Sequence, residues 1–301
     1  MGTRRIGVLY PGGSDADFLQ WRSALLDALG KYSWIEGRNL EVEWRFGEYD
    51  QTRYEPLAAA LARSDVDALL TGGTPLTRAL QRATSTVPIV TGVGDPTGSG
   101  FAESLFKPGG NITGLSWGLR EKAQGQIALL REMAPTVHRM LILRSSRYGS
   151  LSELNELLAA VAAGFGIQTH AEATDSPDEL ETAFEQHAGH LSTAACIYGH
   201  GSFQIDTRRL AGSAIRHGIA TVCDERALVM AGCLVGYTLH HEDQTRRFAA
   251  LIDQVLRGVN PAEIPFELPT RVEFAINRQT AASLGLALTA DMLQRADAVI
   301  G

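Results

Sequence analysis

Short apolar runs alternate along this chain with longer stretches of helical periodicity. Residues 5–10 are typical of a buried strand, and the apolar side chains between Phe18 and Leu29 recur at helical spacing before Gly30. Further strands are predicted at 40–45, 67–71, 87–91, 139–143, 167–171, 194–198 and 220–223. Further helices are predicted at 54–63, 75–84, 121–133, 151–165, 177–187, 207–217 and 242–257. This order indicates right-handed crossovers and parallel sheets that are covered on both faces.

The pattern changes near the turn at residues 108–111 and then restarts, so we expect two α/β lobes of the same design. A chain of 301 residues is long enough to form two domains. The first lobe is predicted to comprise residues 1–115 and 239–267, and the second 116–238, with 268–301 packing on the second lobe. The last part is predicted to hold a proline-punctuated strand region at 264–276 and a pair of helices over 284–300.

The amino-acid composition limits the classes of function that this protein can have. Hydrophobic residues make up 45% of the chain and charged residues 20%, which is enough apolar surface for real cores. The net charge of −7 argues against nucleic acid as a partner, because a basic face would be needed. No apolar stretch reaches the ~20 residues of a membrane span, and no charged-then-apolar leader precedes the first strand. The protein is therefore expected to be cytoplasmic or to have lost its leader.

The three cysteines, Cys196, Cys223 and Cys233, form no CxxC motif and have no histidine at metal-ligand spacing. We expect them to be small buried side chains. The pair His240 and His241 precedes a helix beside two acidic residues, where a solvated face is expected rather than a metal site. No cofactor and no metal is predicted.

Ligands of open α/β sheets bind beyond the carboxyl ends of the strands, and this rule selects the candidate loops. The loop 72–77 is the best anion site, because its glycines expose backbone N–H groups at the start of a helix. Thr74 is predicted as the N-cap, with Pro75 at the first helical position and the hydroxyls of Thr74 and Thr77 beside Gly73. The alternative is a helix cap that binds no ligand.

The other candidates are polar or aromatic residues near predicted strand ends. Asp95, Asp224 and Glu225 are expected to hold an ammonium group, or else to form a turn or a helix cap. Aromatic side chains at such positions can sandwich a planar ligand. The aromatic candidates are Trp117, Tyr148, Phe203 and Tyr237. The remaining candidates are Gly12, Gly13, Ser14, Asp15, Thr97, Ser116, Ser145, Ser146, His200 and Ser202, of which Ser116, Ser145 and Ser146 are expected to act from the second lobe. For Ser14 and Asp15, the alternative is that either residue caps the helix that follows.

Several segments together resemble the ABC-transporter substrate-binding proteins of the tryptophan-binding type. They include Thr71-Gly-Gly-Thr-Pro75, Lys107-Pro-Gly-Gly-Asn-Ile-Thr-Gly-Leu-Ser116 and Ala231-Gly-Cys-Leu-Val-Gly-Tyr237. The resemblance spans nearly the whole chain in the right order. It implies the type I periplasmic-binding fold, in which crossover strands join two lobes and a ligand binds in the cleft. It also implies an extracytoplasmic location, ABC permease subunits as partners and a monomer.

The leading hypothesis is therefore a non-enzymatic solute receptor of an ABC importer, binding an amino acid or related carboxylate, including aromatic ones. One alternative is a cytoplasmic ligand-sensing effector domain of the same fold, although no helix-turn-helix precedes the first strand. Another is an enzyme. The chain has no G-x-S-x-G or HExxH motif. The enzymatic hypothesis that remains is a racemase that uses Cys196 and Cys223.

Overall fold

The computed structural model describes residues 2–144, 152–174, 176–188, 192–198, 207–224, 226–239, 241–269 and 272–301. Its strands are β1 (Arg4–Tyr10), β2 (Leu40–Phe46), β3 (Ala68–Gly72), β4 (Ile89–Val93), β5 (Ile112–Ser116), β6 (Arg139–Arg144), β7 (Gln168–Ala173), β8 (Thr193–Tyr198), β9 (Ala220–Cys223), β10 (Val235–Leu239), β11 (Val272–Asn277) and β12 (Ala298–Ile300). Its helices are α1 (Ala16–Gly30), α2 (Tyr54–Arg63), α3 (Thr74–Ala83), α4 (Leu119–Met133), α5 (Ser152–Gly164), α6 (Pro177–His187), α7 (Thr207–Arg216), α8 (Arg226–Ala231), α9 (His241–Leu256), α10 (Arg278–Ser283) and α11 (Ala290–Arg295).

The chain divides into two units, one of residues 1–119 and 240–270 and the other of residues 120–239 and 271–301. The first unit has a five-stranded parallel sheet in the order β2-β1-β3-β4-β5. The second has a seven-stranded sheet in the order β12-β11-β10-β9-β8-β6-β7. Its one antiparallel pair in the described part is β10 with β11. The predicted class of two α/β units with mostly parallel sheets is confirmed.

Both faces of the first sheet are buried, which explains why its inner strands β1, β3 and β4 are largely apolar, whereas the edge strand β2 alternates apolar and charged residues. Along β1, Ile6 and Val8 face a core shared with α1 and α9, whereas Leu9 faces a core shared with α2 and α3. Helix α9 is remote in sequence from the rest of this unit. It is tied to the end of α1 by the Trp34 indole, which donates to the buried Asp253 carboxylate at 2.8 Å.

The second sheet is built in the same way. Met140 and Ile142 of β6 face one core, which also contains residues of α4 and α5, while Leu141 and Leu143 face another that contains residues of α6 and α7. All four side chains are at most 2% exposed. The alternation of strand side chains therefore supplies two cores from one apolar run.

The carboxyl-terminal region differs from the sequence prediction. The predicted pair of helices over 284–300 was wrong, because the short helices α10 and α11 are followed by the strand β12, which pairs in parallel with β11. A run of three apolar residues has no decisive local preference, and the open side of β11 determines its conformation. The predicted strand region at 264–276 is also shorter, since β11 is the one strand among its described residues and Glu267 makes an isolated bridge with Leu115.

Gly114 is the residue at which the first sheet is least tolerant of a side chain. Its φ of 157° lies in a region that L-residues rarely adopt, and a Cβ there would overlap the carbonyl oxygen of Thr91 on β4. We expect Gly114→Ala to lower the free energy of unfolding by about 3 kcal/mol or more, measured by urea denaturation. Gly110→Ala is the control, because open space surrounds that position. Equal stabilities of the two variants would contradict this account.

Candidate functional site

The carboxyl ends of the five parallel strands of the first unit share one edge of its sheet. The candidate residues of loops 11–15, 72–77 and 94–97 follow β1, β3 and β4 at this edge. Ser116 and Trp117 also lie here rather than in the second lobe, where the sequence prediction placed them. The reason is that β5 continues to pair with β4 up to Val93 and Ser116.

The loop after β3 begins helix α3 one residue earlier than predicted. Gly73, with φ of 91°, is the N-cap, and Thr74 is the first helical residue, so the prediction of Thr74 as the N-cap was wrong. The positive φ explains the choice, because glycine adopts it without strain. The Thr74 side chain is half-buried in the first turn, where helix N–H groups favour an anion.

Thr77 has a supporting position rather than an exposed one. Its side chain is fully buried, and its hydroxyl donates to the Gly73 carbonyl at 2.8 Å while the Thr91 hydroxyl lies 2.6 Å away. The Gly73 N–H in turn donates to the Gly92 carbonyl at 2.7 Å. These bonds fix the loop against β4, so the first turn of α3 is held in place before any ligand arrives.

Trp117 covers the ends of β3 and β4. Its indole lies so close to Gly92 that a Cβ on that glycine would be 2.9 Å from Nε1, while a Cβ on Gly72 would be 3.9 Å from the ring. The indole Nε1 is buried and makes no hydrogen bond within the described residues. An aromatic ring and an unsatisfied donor therefore lie next to the start of α3, which is an arrangement suited to a planar polar ligand.

The loop after β1 is built around its glycines. A Cβ on Gly12 would be 2.9 Å from the Tyr49 ring, and one on Gly13 would be 2.6 Å from the Glu48 carboxylate. Glu48 and Tyr49 themselves have positive φ values of 54° and 53°, an uncommon conformation for non-glycine residues. This local strain lies at the same edge of the sheet as the candidate site. Sequence reasoning missed both residues, because nothing in a local pattern marks this conformation.

Three further candidates make local contacts with the backbone. Asp15 caps α1 by accepting from the Phe18 N–H at 2.9 Å, as the capping alternative held. Asp95 is exposed and accepts from the Thr97 hydroxyl at 3.0 Å and the Gly98 N–H at 2.8 Å, which is the turn alternative. The Ser116 hydroxyl accepts from the Gly118 N–H at 3.3 Å. Ser14 is exposed.

The second unit also has a common carboxyl edge, formed by β6, β7, β8, β9 and β10. Asp224 directly follows β9, and its Oδ2 lies 3.7 Å from the Lys122 ammonium of α4. The other carboxylate oxygen of Asp224 is buried and makes no hydrogen bond with any residue that the structure describes. Seven candidates for this edge lie outside the described residues, namely Ser145, Ser146, Tyr148, His200, Ser202, Phe203 and Glu225.

Helix α4 braces this edge from one side. The fully buried Gln126 amide donates to the carbonyl oxygens of Cys223 at 3.2 Å and Tyr237 at 3.4 Å, which joins the ends of β9 and β10. The Tyr237 ring lies against Gly125, where a Cβ would be 2.7 Å from it. The Tyr237 ring is therefore held by packing in the middle of β10.

Arg144 is a residue that the sequence prediction missed. It ends β6, its side chain is 7% exposed, and its Nε and Nη1 make no hydrogen bond within the described residues. Burial lowers the pKa of its guanidinium to about 10. The neighbouring Thr174, whose N–H donates to the Arg144 carbonyl at 2.9 Å, has a buried hydroxyl that is also unsatisfied. The sequence feature that could have identified Arg144 is a cationic residue directly after an apolar run, at the end of a predicted strand.

The three cysteines are buried, as predicted, and none forms a disulfide within the part of the chain that the structure describes. Cys196 lies within β8 and Cys223 ends β9. The Cys223 thiol donates to the Val235 carbonyl at 3.4 Å. A racemase would need two thiols facing a substrate, whereas these two side chains are 2% exposed or less.

Comparison with known proteins identifies the class. The family model described as ABC transporter substrate binding protein matches residues 6–300. The chain therefore belongs to this family, which is one of binding proteins. Within the part of the chain that the structure describes, no helix has both the length and the apolarity needed to cross a membrane.

Individual relatives agree with this class. A tyrosine-binding protein of Clostridioides difficile (strain R20291) is 22% identical over 284 residues, covering 91% of this chain and 79% of that protein. The ABC domain in complex with L-Trp from Streptococcus pneumonia has a TM-score of 0.83 at 23% identity, over 99% of this chain and 100% of that one. A conserved domain protein from Vibrio cholerae has a TM-score of 0.83 at 22% identity, over 99% of each chain. These likenesses show the type I periplasmic-binding fold.

The unsatisfied guanidinium of Arg144 gives a test of this edge in the free protein. We expect Arg144→Met to leave the free energy of unfolding unchanged or to raise it by up to about 1 kcal/mol, because a buried charge without a partner is costly. Since the pKa is lowered in the folded state, this cost is fully present below pH 10. This cost is relieved as the pH rises from 10 towards 12.5, so the free energy of unfolding of the wild type should increase relative to that of the variant.

Urea denaturation of the ligand-free protein measures this difference. The matched control is Arg139→Met on the same strand, where the side chain is exposed and a change within about 0.5 kcal/mol is expected. A clear loss of stability in Arg144→Met alone would mean that the guanidinium has a partner in the free protein.

Proposed function

We propose that this protein is the extracytoplasmic receptor of an ABC importer and that it binds an amino acid or a related carboxylate. The observation that carries the proposal is the first turn of α3, which presents N–H groups at a sheet edge beside the Trp117 indole. The names of the C. difficile and S. pneumonia relatives, which refer to tyrosine and L-Trp, support the ligand class. The monomeric state and the permease partner are part of the proposal.

In this proposal the ligand carboxylate binds at the start of α3. Its partners there are the helix N–H groups and the Thr74 hydroxyl, and the helix dipole adds to the attraction. An aromatic ligand body would lie against Trp117, and its polar atoms would be available to the unsatisfied Nε1. Thr77 does not contact the ligand in this scheme but holds the loop that does.

The second unit would contribute the remaining polar contacts. The unsatisfied oxygen of Asp224 is a suitable acceptor for an ammonium group, and the unsatisfied guanidinium of Arg144 is a suitable donor for an oxygen of the ligand. Both groups are costly to bury without a partner, so a ligand that satisfies them gains affinity. We propose that the ligand binds in the interlobe cleft and that its contacts with both lobes favour the closed state.

The function is tested by native mass spectrometry of the purified protein, followed by a thermal-shift screen of amino acids, aromatic acids and nucleosides. A ligand present at about a hundred times its dissociation constant adds about 2.7 kcal/mol of stability, which the melting temperature reports. A shift with amino acids or related acids is the expected result. A shift with nucleosides alone would overturn the proposed ligand class.

The identified ligand then allows a test of the site. We expect Thr74→Val to weaken its binding about tenfold, the value of one lost hydrogen bond to a charged group, with the melting temperature of the free protein unchanged. The control is Thr86→Val, because Thr86 is exposed before β4, away from the carboxyl edge. Isothermal titration calorimetry measures both affinities. Wild-type affinity in Thr74→Val would remove the first turn of α3 from the site.

A further inference from the structure

Three side chains of the second unit bring metal-binding atoms close together outside the loops described above. His170 and Glu172 lie on β7, and His187 ends α6. One ligand atom from each residue lies within 4.8 Å of the other two. Neither the family nor the proposed function assigns a role to these residues.

Regular elements fix the three positions. His170 and Glu172 are two residues apart on one strand, so their side chains leave the same face of β7. Helix α6 packs against the sheet through Leu180 and Phe184, which share a core with Leu143 of β6. Its last residue, His187, therefore reaches the two strand residues from a rigid support, as a precise site requires.

The ligand atoms of the cluster lie slightly farther apart than those of an occupied zinc site. The His187 Nε2 lies 3.8 Å from the Glu172 Oε2, which is too long for a hydrogen bond, and the two imidazole rings are 4.9 Å apart between centroids. Ligand atoms bound to one zinc ion at about 2.0–2.2 Å are roughly 3.4 Å apart in a tetrahedral site. Small side-chain rotations are enough to close this difference.

The Glu172 carboxylate supplies a second, independent observation. Its Oε2 is buried and makes no hydrogen bond within the described residues. An acceptor of this kind costs free energy unless a cation or a donor satisfies it. The side chains of His187 and Glu172 as a whole are 26% and 32% exposed, which leaves an ion access to the cluster.

We propose that His170, Glu172 and His187 bind one divalent transition-metal ion, with zinc the foremost candidate and water completing the coordination. Two imidazoles and one carboxylate are a ligand set that suits zinc and related first-row ions, and that calcium and magnesium do not prefer. The bound ion would join the end of α6 to β7, which is the last strand of its sheet.

A neighbouring cluster provides the contrast. Glu181, Glu185 and His217 also lie within 4.8 Å of one another, but the Arg216 guanidinium donates to both oxygens of Glu181 at 2.9 Å. Burial raises the pKa of the Glu181 carboxyl, but hydrogen bonds from Arg216 and its neighbours outweigh this effect and lower the pKa to about 2. This carboxylate already has a cation as partner, and a metal ion would have to displace it.

The test is a titration of tag-free, chelator-treated protein with zinc chloride against a chromophoric zinc chelator. The wild type should bind one equivalent at micromolar concentration or below, and Co²⁺ should give the visible absorption of a four- or five-coordinate site. Glu172→Gln and His187→Asn should each weaken zinc binding at least about tenfold, since even partners beyond the ligands have effects of that size. Thermal melting of the metal-free variants checks that they are folded.

The control variant is His217→Asn, which removes a histidine of the same unit from the contrasting cluster and should bind zinc as the wild type does. Three results would overturn the proposal. They are no zinc binding by the wild type at micromolar concentration, unchanged affinity in both Glu172→Gln and His187→Asn, and loss of binding in His217→Asn. Since no organic ligand is present, failure of this test is independent of failure of the proposed function.

Discussion

The parallel pairing of the strands is the constraint on which the rest of this molecule depends. Parallel strands need helical crossovers, the crossovers cover both faces of each sheet, and the inner strands must then be apolar on both sides. Along β1, Ile6 and Leu9 accordingly enter two different cores. The same pairing places all carboxyl ends at one edge, so chemistry can concentrate there without disturbing the core.

The polar groups at these edges are arranged differently in the two units. At the first edge, glycines at positions 73 and 92 allow a helix start and the Trp117 indole to approach the strand ends closely. At the second edge, Arg144 and Asp224 carry buried polar atoms that make no hydrogen bond to the described part of the chain. Native proteins satisfy nearly all such atoms, so a group left unsatisfied at a binding edge is a reason to expect a ligand there.

The family assignment and the site geometry support each other but answer different questions. The match over residues 6–300 establishes a substrate-binding protein of the ABC-transporter type. The chemistry of Thr74, Trp117 and Arg144 bears on which ligand such a protein would select. The His170, Glu172 and His187 cluster is separate from both, since it depends on how α6 ends beside β7.

The sequence by itself determined the order of strands and helices from β1 to β4 and from α4 to β9, the burial of the cysteines and the edges at which to look, because these depend on local periodicity and on general rules of parallel sheets. It also limited Asp15 and Asp95 to two roles each, and the structure shows the local contact in both cases. Only the tertiary structure decided that Ala298–Ile300 is a strand, that Gly73 caps α3, and that Trp117 belongs to the first unit. It alone revealed that the Arg144 guanidinium is unsatisfied within the described residues, and that His170, Glu172 and His187 lie close together. The physical reason is that pairing at a sheet edge, backbone conformation in loops and the partner of a buried polar atom all depend on residues far away in the sequence.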